Sequence, residues 1–65
     1  MQMIELARSD YETMVDALHQ SKRLGERSEK NGVSTHSADH PHHGPVVLVM
    51  DHNKDKGMMI IKKEQ

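Results

Sequence analysis

The sequence predicts a small α+β domain, ordered β-α-β-β or α-β-β, and three observations support this class. Residues 1–24 carry the pattern of an amphipathic helix, residues 46–65 hold two apolar runs, and residues 25–45 are polar. Apolar residues at helical spacing indicate a helix, and two short apolar runs joined by turn residues indicate a β-hairpin. A chain of 65 residues is expected to form a single small domain.

The helix is predicted from Tyr11, Met14 and Leu18, which share one face at helical spacing. Ser9 and Glu12 have the form of a capping box, which would start the helix near residue 9. Gly25 is a natural helix stop. These signals predict a helix that ends before residue 25.

Two interpretations of residues 1–6 stay open. Ile4 and Ala7 continue the helical stripe backwards, which would extend the helix to about residue 3. If the capping box starts the helix, residues 1–6 are free to form a short strand. The strand is slightly favoured, because a two-stranded hairpin alone is marginal in water.

The middle segment, residues 25–45, is rich in Gly, Ser, His and charge. A segment of this composition buries too little apolar surface to order itself. We therefore expect a long, flexible, His-rich linker between the two structured ends.

The hairpin is predicted from Val46–Met50 and Met58–Lys62, joined by turn-forming residues. Successive side chains of a strand point to opposite faces, so both faces of this hairpin are apolar. One helix covers only one face, and the other is expected to meet a second copy or another protein. The predicted interface residues are those of the two runs: Val46, Val47, Leu48, Val49, Met50, Met58, Met59, Ile60 and Ile61.

Composition favours self-association and excludes several functional classes. A core this small is marginal, and without cysteine neither a disulfide nor a thiolate zinc site can reinforce it. A net charge of −1 and a single aromatic residue argue against nucleic acid as partner. We also expect no membrane span, no secretory signal and a cytoplasmic location.

The histidines offer one candidate metal site. His36, His40, His42 and His43 lie within eight residues, and imidazole is a common ligand of zinc, copper and nickel. Their spacing matches no structural zinc framework, so the alternative is a linker that is merely rich in histidine. We expect no obligatory cofactor, with zinc, nickel or copper binding as the alternative.

Enzymatic activity is not expected. The serines near histidines, such as Ser34 and Ser37, fall in the polar segment, where no rigid element would orient a nucleophile. No glycine-rich phosphate loop is present in the sequence.

The order strand, helix, linker, then GPVVLVMD and GMMIIKK, resembles the N-terminal half of Phd/YefM-type antitoxins. The resemblance covers the pattern and no motif, and it treats the middle segment as an insertion. It implies a dimer that binds operator DNA, and it assigns no functional residue in this chain. In a dimeric DNA-binding regulator, the cations expected to approach phosphates are Arg8, Lys22, Arg23 and Arg27.

The sequence therefore predicts a non-enzymatic regulatory or inhibitory protein that acts through protein–protein contact of its apolar hairpin, as a homo-oligomer. The alternatives are transition-metal binding or sensing through the histidines, and a dimeric DNA-binding regulator of the antitoxin type.

Overall fold

A computed structural model describes residues 2–62 as an antiparallel sheet of five strands with one helix on one face. The elements are β1 (Gln2–Leu6), α1 (Arg8–Gln20), β2 (Leu24–Lys30), β3 (Val33–His40), β4 (Gly44–Asp51) and β5 (Lys56–Ile61). The spatial order of the strands is β1-β5-β4-β3-β2. The last four strands form a meander, and β1 joins it beside β5.

The predicted fold class is wrong, because residues 25–45 form no linker. They supply β2, β3 and the start of β4, so the sheet has two more strands than expected. Asn31 and Gly32 form the turn between β2 and β3, with φ of 54° and 80°. Positive φ at both central residues is the geometry of a two-residue hairpin turn, for which Asn-Gly is the preferred pair.

β3 lacks an apolar run of the kind that predicts β4 and β5, yet it is paired with a strand on each side. Its partners are β2 and β4, and its small residues Ser34 and Ala38 are buried beneath α1. Sheet hydrogen bonds and small buried side chains therefore order a segment whose composition alone predicts disorder.

The N-terminal segment adopts the strand alternative. β1 pairs with β5 in the register Gln2↔Ile61 to Leu6↔Gly57. The predicted capping box is wrong, because α1 begins at Arg8 after Ala7, which makes no side-chain cap. Arg8 instead donates to Glu12 over 3.0 Å and forms an ion pair with Asp55, which ties the helix start to the β4–β5 turn.

The predicted C-terminal hairpin is present as β4 and β5, with Leu48 opposite Met59 and Val49 opposite Met58. Both strands are interior, since β3 flanks β4 and β1 flanks β5. Neither hairpin strand therefore offers a free edge to a partner's sheet. Residues 63–65 of the predicted hairpin segment lie outside the described residues.

The core lies between α1 and one face of the sheet. Tyr11 approaches Gly57 so closely that a Cβ there would meet the ring at 2.9 Å. This glycine makes room for the chain's single aromatic side chain. The buried apolar residues are Tyr11, Leu18, Ala38, Val46, Leu48, Met50, Met59 and Ile61.

Candidate interaction surface

The sheet face opposite α1 has no covering element among residues 2–62, and we call it the open face. Residues directly opposite one another on paired strands share a face, so the register identifies its members. Met3, Ile60 and Val47 form one row across β1, β5 and β4, and Met58 with Val49 begins the next. These five residues form a contiguous apolar patch.

The patch is more exposed than the core but is not fully solvated. The side chain of Met3 is 60% exposed, whereas Val47, Val49, Met58 and Ile60 are partly buried by their strand neighbours. A contiguous apolar area of this kind on a protein surface usually marks an interaction site.

The two halves of the open face differ in the size of their side chains, and therefore in how far they project from the sheet. The β1–β5 half, which we call the tall half, carries Met3, Met58 and Ile60. The β3–β2 half, which we call the low half, carries the small polar Ser37, Thr35 and Ser28, each continuing a row by its register. A shallow cleft of about 250 Å³ lies over the low half, lined by Glu26, Arg27, Ser28, Thr35, Ser37 and Val47.

Charged side chains surround the patch. At one end Asp51 lies opposite Lys56, and at the other Asp39 lies opposite Pro45, whose carbonyl accepts from the Lys62 amide. At the lateral rims Glu5 lies opposite Met58 and Lys30 lies opposite Val33. An apolar centre with a polar rim of both signs is the usual anatomy of a protein interface.

The predicted interface residues divide between the two faces of the hairpin. Val47, Val49, Met58 and Ile60 lie on the open face. The others are buried against α1: Val46, Leu48, Met50, Met59 and Ile61. Met3 was not predicted from the sequence, because its place beside Ile60 depends on the pairing of the first strand with the last, which local pattern does not reveal.

Three of the four candidate metal ligands meet at the β3–β4 turn. The ring centroids of His40 and His43 lie 4.7 Å apart, and those of His40 and His42 lie 5.7 Å apart. His36 lies apart from them, within β3 and opposite Leu48 on the helix-covered side. Within residues 2–62 no three potential ligands are placed to hold one metal ion.

His40 serves the turn itself. Its Nδ1 accepts backbone N–H bonds from His42 and His43, at 3.0 and 3.3 Å. A neutral ring that accepts at Nδ1 carries its proton on Nε2, which leaves neither nitrogen free for a metal. Burial, with help from His43, His42 and Arg23, lowers the pKa of His40 and so favours this neutral form.

Ser34 is the one serine that contacts a histidine, through an Oγ that lies 2.9 Å from His52 Nε2. The same hydroxyl donates to Glu29 at 3.4 Å and accepts from Arg27 at 3.2 Å. Ser34 is only 4% exposed, and the tautomer of His52 decides which of the two groups donates in the Oγ–Nε2 contact. The cluster joins β2, β3 and the β4–β5 turn, and it lacks the accessible serine that nucleophilic catalysis needs. The ion pair with Arg27 also lowers the pKa of Glu29.

The cations considered for DNA contact do not form a free basic surface. Arg8 pairs with Glu12 and Asp55, Arg23 lies 3.6 Å from Asp39, and Arg27 lies 2.8 Å from Glu29. The three arginine charges are therefore balanced locally, whereas Lys22 is exposed in the turn after α1. The predicted linker, on which the antitoxin resemblance relied, is the β2–β3 hairpin.

No protein-family model, curated protein or solved structure matches this chain. Across residues 2–62, α1 is the longest helix, and neither its length nor its polarity would allow it to cross a bilayer.

Proposed function

We propose that this chain is a non-enzymatic regulatory or inhibitory protein that works through protein–protein contact at its open face, with a cytoplasmic location. The observation that carries the proposal is the contiguous patch of Met3, Val47, Val49, Met58 and Ile60 on a sheet face that no described element covers. The sequence predicts the contact on both faces of the hairpin. Here the contact is limited to the face of the sheet opposite α1.

The free energy gained by burying apolar surface supports the open face as the contact surface. Apolar surface gains roughly 25 cal/mol for each Å² removed from water, so side chains left half-covered retain unused binding free energy. The described helix is already committed to the other face through Tyr11 and Leu18. Contact with another protein surface would cover the open face.

A matched pair of lysine substitutions tests the proposal. Val49→Lys places a charge at the centre of the open face, and Thr13→Lys places the same charge on the exposed side of α1. We expect the wild-type chain to associate in sedimentation experiments across a wide concentration range. Val49→Lys should lose that association, because burying an unpaired charge is unfavourable.

Circular dichroism is the accompanying check on folding. Thr13→Lys should associate like the wild type, and both variants should keep their strand and helix signals. The proposal is overturned if Val49→Lys and Thr13→Lys associate equally, or if the wild-type chain stays monomeric throughout.

A further inference from the structure

We propose that the occupant of the open face is a second copy of this chain, packed face to face about a two-fold axis that runs along β4. The inference rests on the proposed function, because it names the partner and its orientation on the same surface. Three features of the open face support it: the position of β4, the difference in height between the two halves, and the charges at the rim.

β4 is the third of five strands, so it lies in the middle of the sheet. A two-fold axis parallel to β4 places β4 over β4, β5 over β3 and β1 over β2. Sheets that pack face to face keep their strands within about 30° of one another, which this arrangement satisfies. Two-fold dimers with self-complementary surfaces are also the commonest closed assemblies.

The same axis places the tall half of one copy over the low half of the other. Rotation about an axis along the strands keeps each residue in its own row. Ile60 therefore faces Ser37 of the second copy, and Met58 faces Thr35 of the second copy. The cleft of about 250 Å³ over Ser37 and Thr35 would receive these larger side chains, and a second cleft of about 550 Å³ lies beside Glu5 and Met58.

The rim charges are complementary under this rotation. Lys62 comes to face Asp39 of the second copy, because each lies beside Pro45 on opposite sides of β4. Asp39 would then lie between Arg23 of its own copy, 3.6 Å away, and the facing Lys62. Glu5, on β1, comes within one row of Lys30 of the second copy, on β2. Asp51 meets its own counterpart, but its Oδ1 accepts from the Asn53 and Lys54 amides and Lys56 lies beside it.

A stable dimer would have to use nearly the whole open face. The two larger dimensions of the fold, 31 and 26 Å, limit the extent of that face. A standard interface takes roughly 800 Å² of accessible surface from each partner.

A charge-reversal cycle tests the arrangement. Glu5→Lys and Lys30→Glu each create like charges across the interface. Each single variant should weaken dimerisation about three- to tenfold, as expected for a partly exposed ion pair. The double variant should return to within about twofold of the wild type. Both residues are exposed, so the fold should tolerate the changes.

Mixed isotope labelling supplies a second measurement. In a sample of labelled and unlabelled copies, filtered NMR spectra should show contacts between copies from Ile60 to Ser37 and from Val49 to Val49. Dimerisation that Val49→Lys abolishes but the double variant does not restore would overturn this arrangement and leave the proposed function standing. A wild-type chain that remains monomeric would overturn both.

Discussion

The role of His40 in the structure differs from the role that the sequence predicts. In the sequence it belongs to a histidine cluster typical of metal sites. In the fold its Nδ1 accepts two backbone N–H groups and holds the turn between β3 and β4. Protonating Nδ1 would turn an acceptor into a donor that faces two donors.

We predict a decrease in stability on acidification that depends on His40. Its pKa is lowered in the folded chain, mainly by burial, so the unfolded chain takes up the proton more readily. The contribution of His40 is therefore complete above its unfolded pKa of about 6.5 and is lost as the pH falls below that value. Chemical denaturation between pH 8 and pH 5 measures this loss.

His40→Asn is the informative variant, since its Oδ1 can accept the same N–H groups and does not titrate. Its stability should change less between pH 8 and pH 5 than that of the wild type. His40→Ala, which removes the acceptor, should cost about 1 kcal/mol at pH 8. Equal pH dependence in wild type and His40→Asn would contradict the role assigned to the ring.

The hairpin of β2 and β3 shows the limit of reasoning from local apolar pattern. The apolar residues 46–50 and 58–61 predict β4 and β5. Both strands carry apolar side chains on the face under α1 and on the open face. β2 and β3 are stabilised by backbone pairing and by small residues beneath α1, which apolar pattern does not detect. The pair Asn31-Gly32 is the sequence signal that indicates this hairpin. The polar composition of residues 25–45 predicts a flexible linker instead.

We predict that this hairpin is essential to the fold. Replacing residues 26–43 by a Gly/Ser segment of equal length should abolish cooperative thermal unfolding. The replacement would expose one side of β4 and remove Ala38 from the core. Circular dichroism during a thermal scan measures the loss.

Amide exchange gives an internal control in the unmodified chain. Amides of β3 should exchange slowly, since β2 and β4 flank this strand, whereas those of turn residues 53–55 should exchange fast. Equal, fast exchange in both segments would show that residues 33–40 are not held in the sheet.

Only part of the candidate surface could be predicted from the sequence, because the rest depends on the order of the strands in the whole sheet. Period-two alternation separates Val47 and Val49 from Val46, Leu48 and Met50 without any structure. Which set faces the helix, and which strands extend the surface, depends on the order of strands in space. Met3 and the low half around Ser37 and Thr35 follow from that order alone.

We predict that substitutions beneath α1 mainly affect folding, whereas substitutions on the open face mainly affect association. Leu48→Ala, beneath α1, should destabilise the chain by about 2–5 kcal/mol, because it leaves a cavity. Val49→Thr, on the open face, should cost less stability but weaken association. Denaturation and sedimentation at matched concentrations measure the two effects.

Association should also raise the melting temperature as the wild-type concentration rises. Val49→Thr should reduce that dependence, and Leu48→Ala should lower the melting temperature at every concentration. If both variants lose stability and association in the same proportion, the open face is part of an obligate core.

The pairing of β1 with β5 has a consequence for synthesis on the ribosome. β3, β4 and β5 can each pair with the strand made just before it. β1 is made early and has no neighbour in the sheet until β5 is complete. Contacts between distant parts of a chain form slowly, so Ile4 and Leu6 lack their sheet partners until β5 has been made. Closure of the sheet therefore follows the synthesis of β5, and it fixes the position of Met3 on the open face only at that stage.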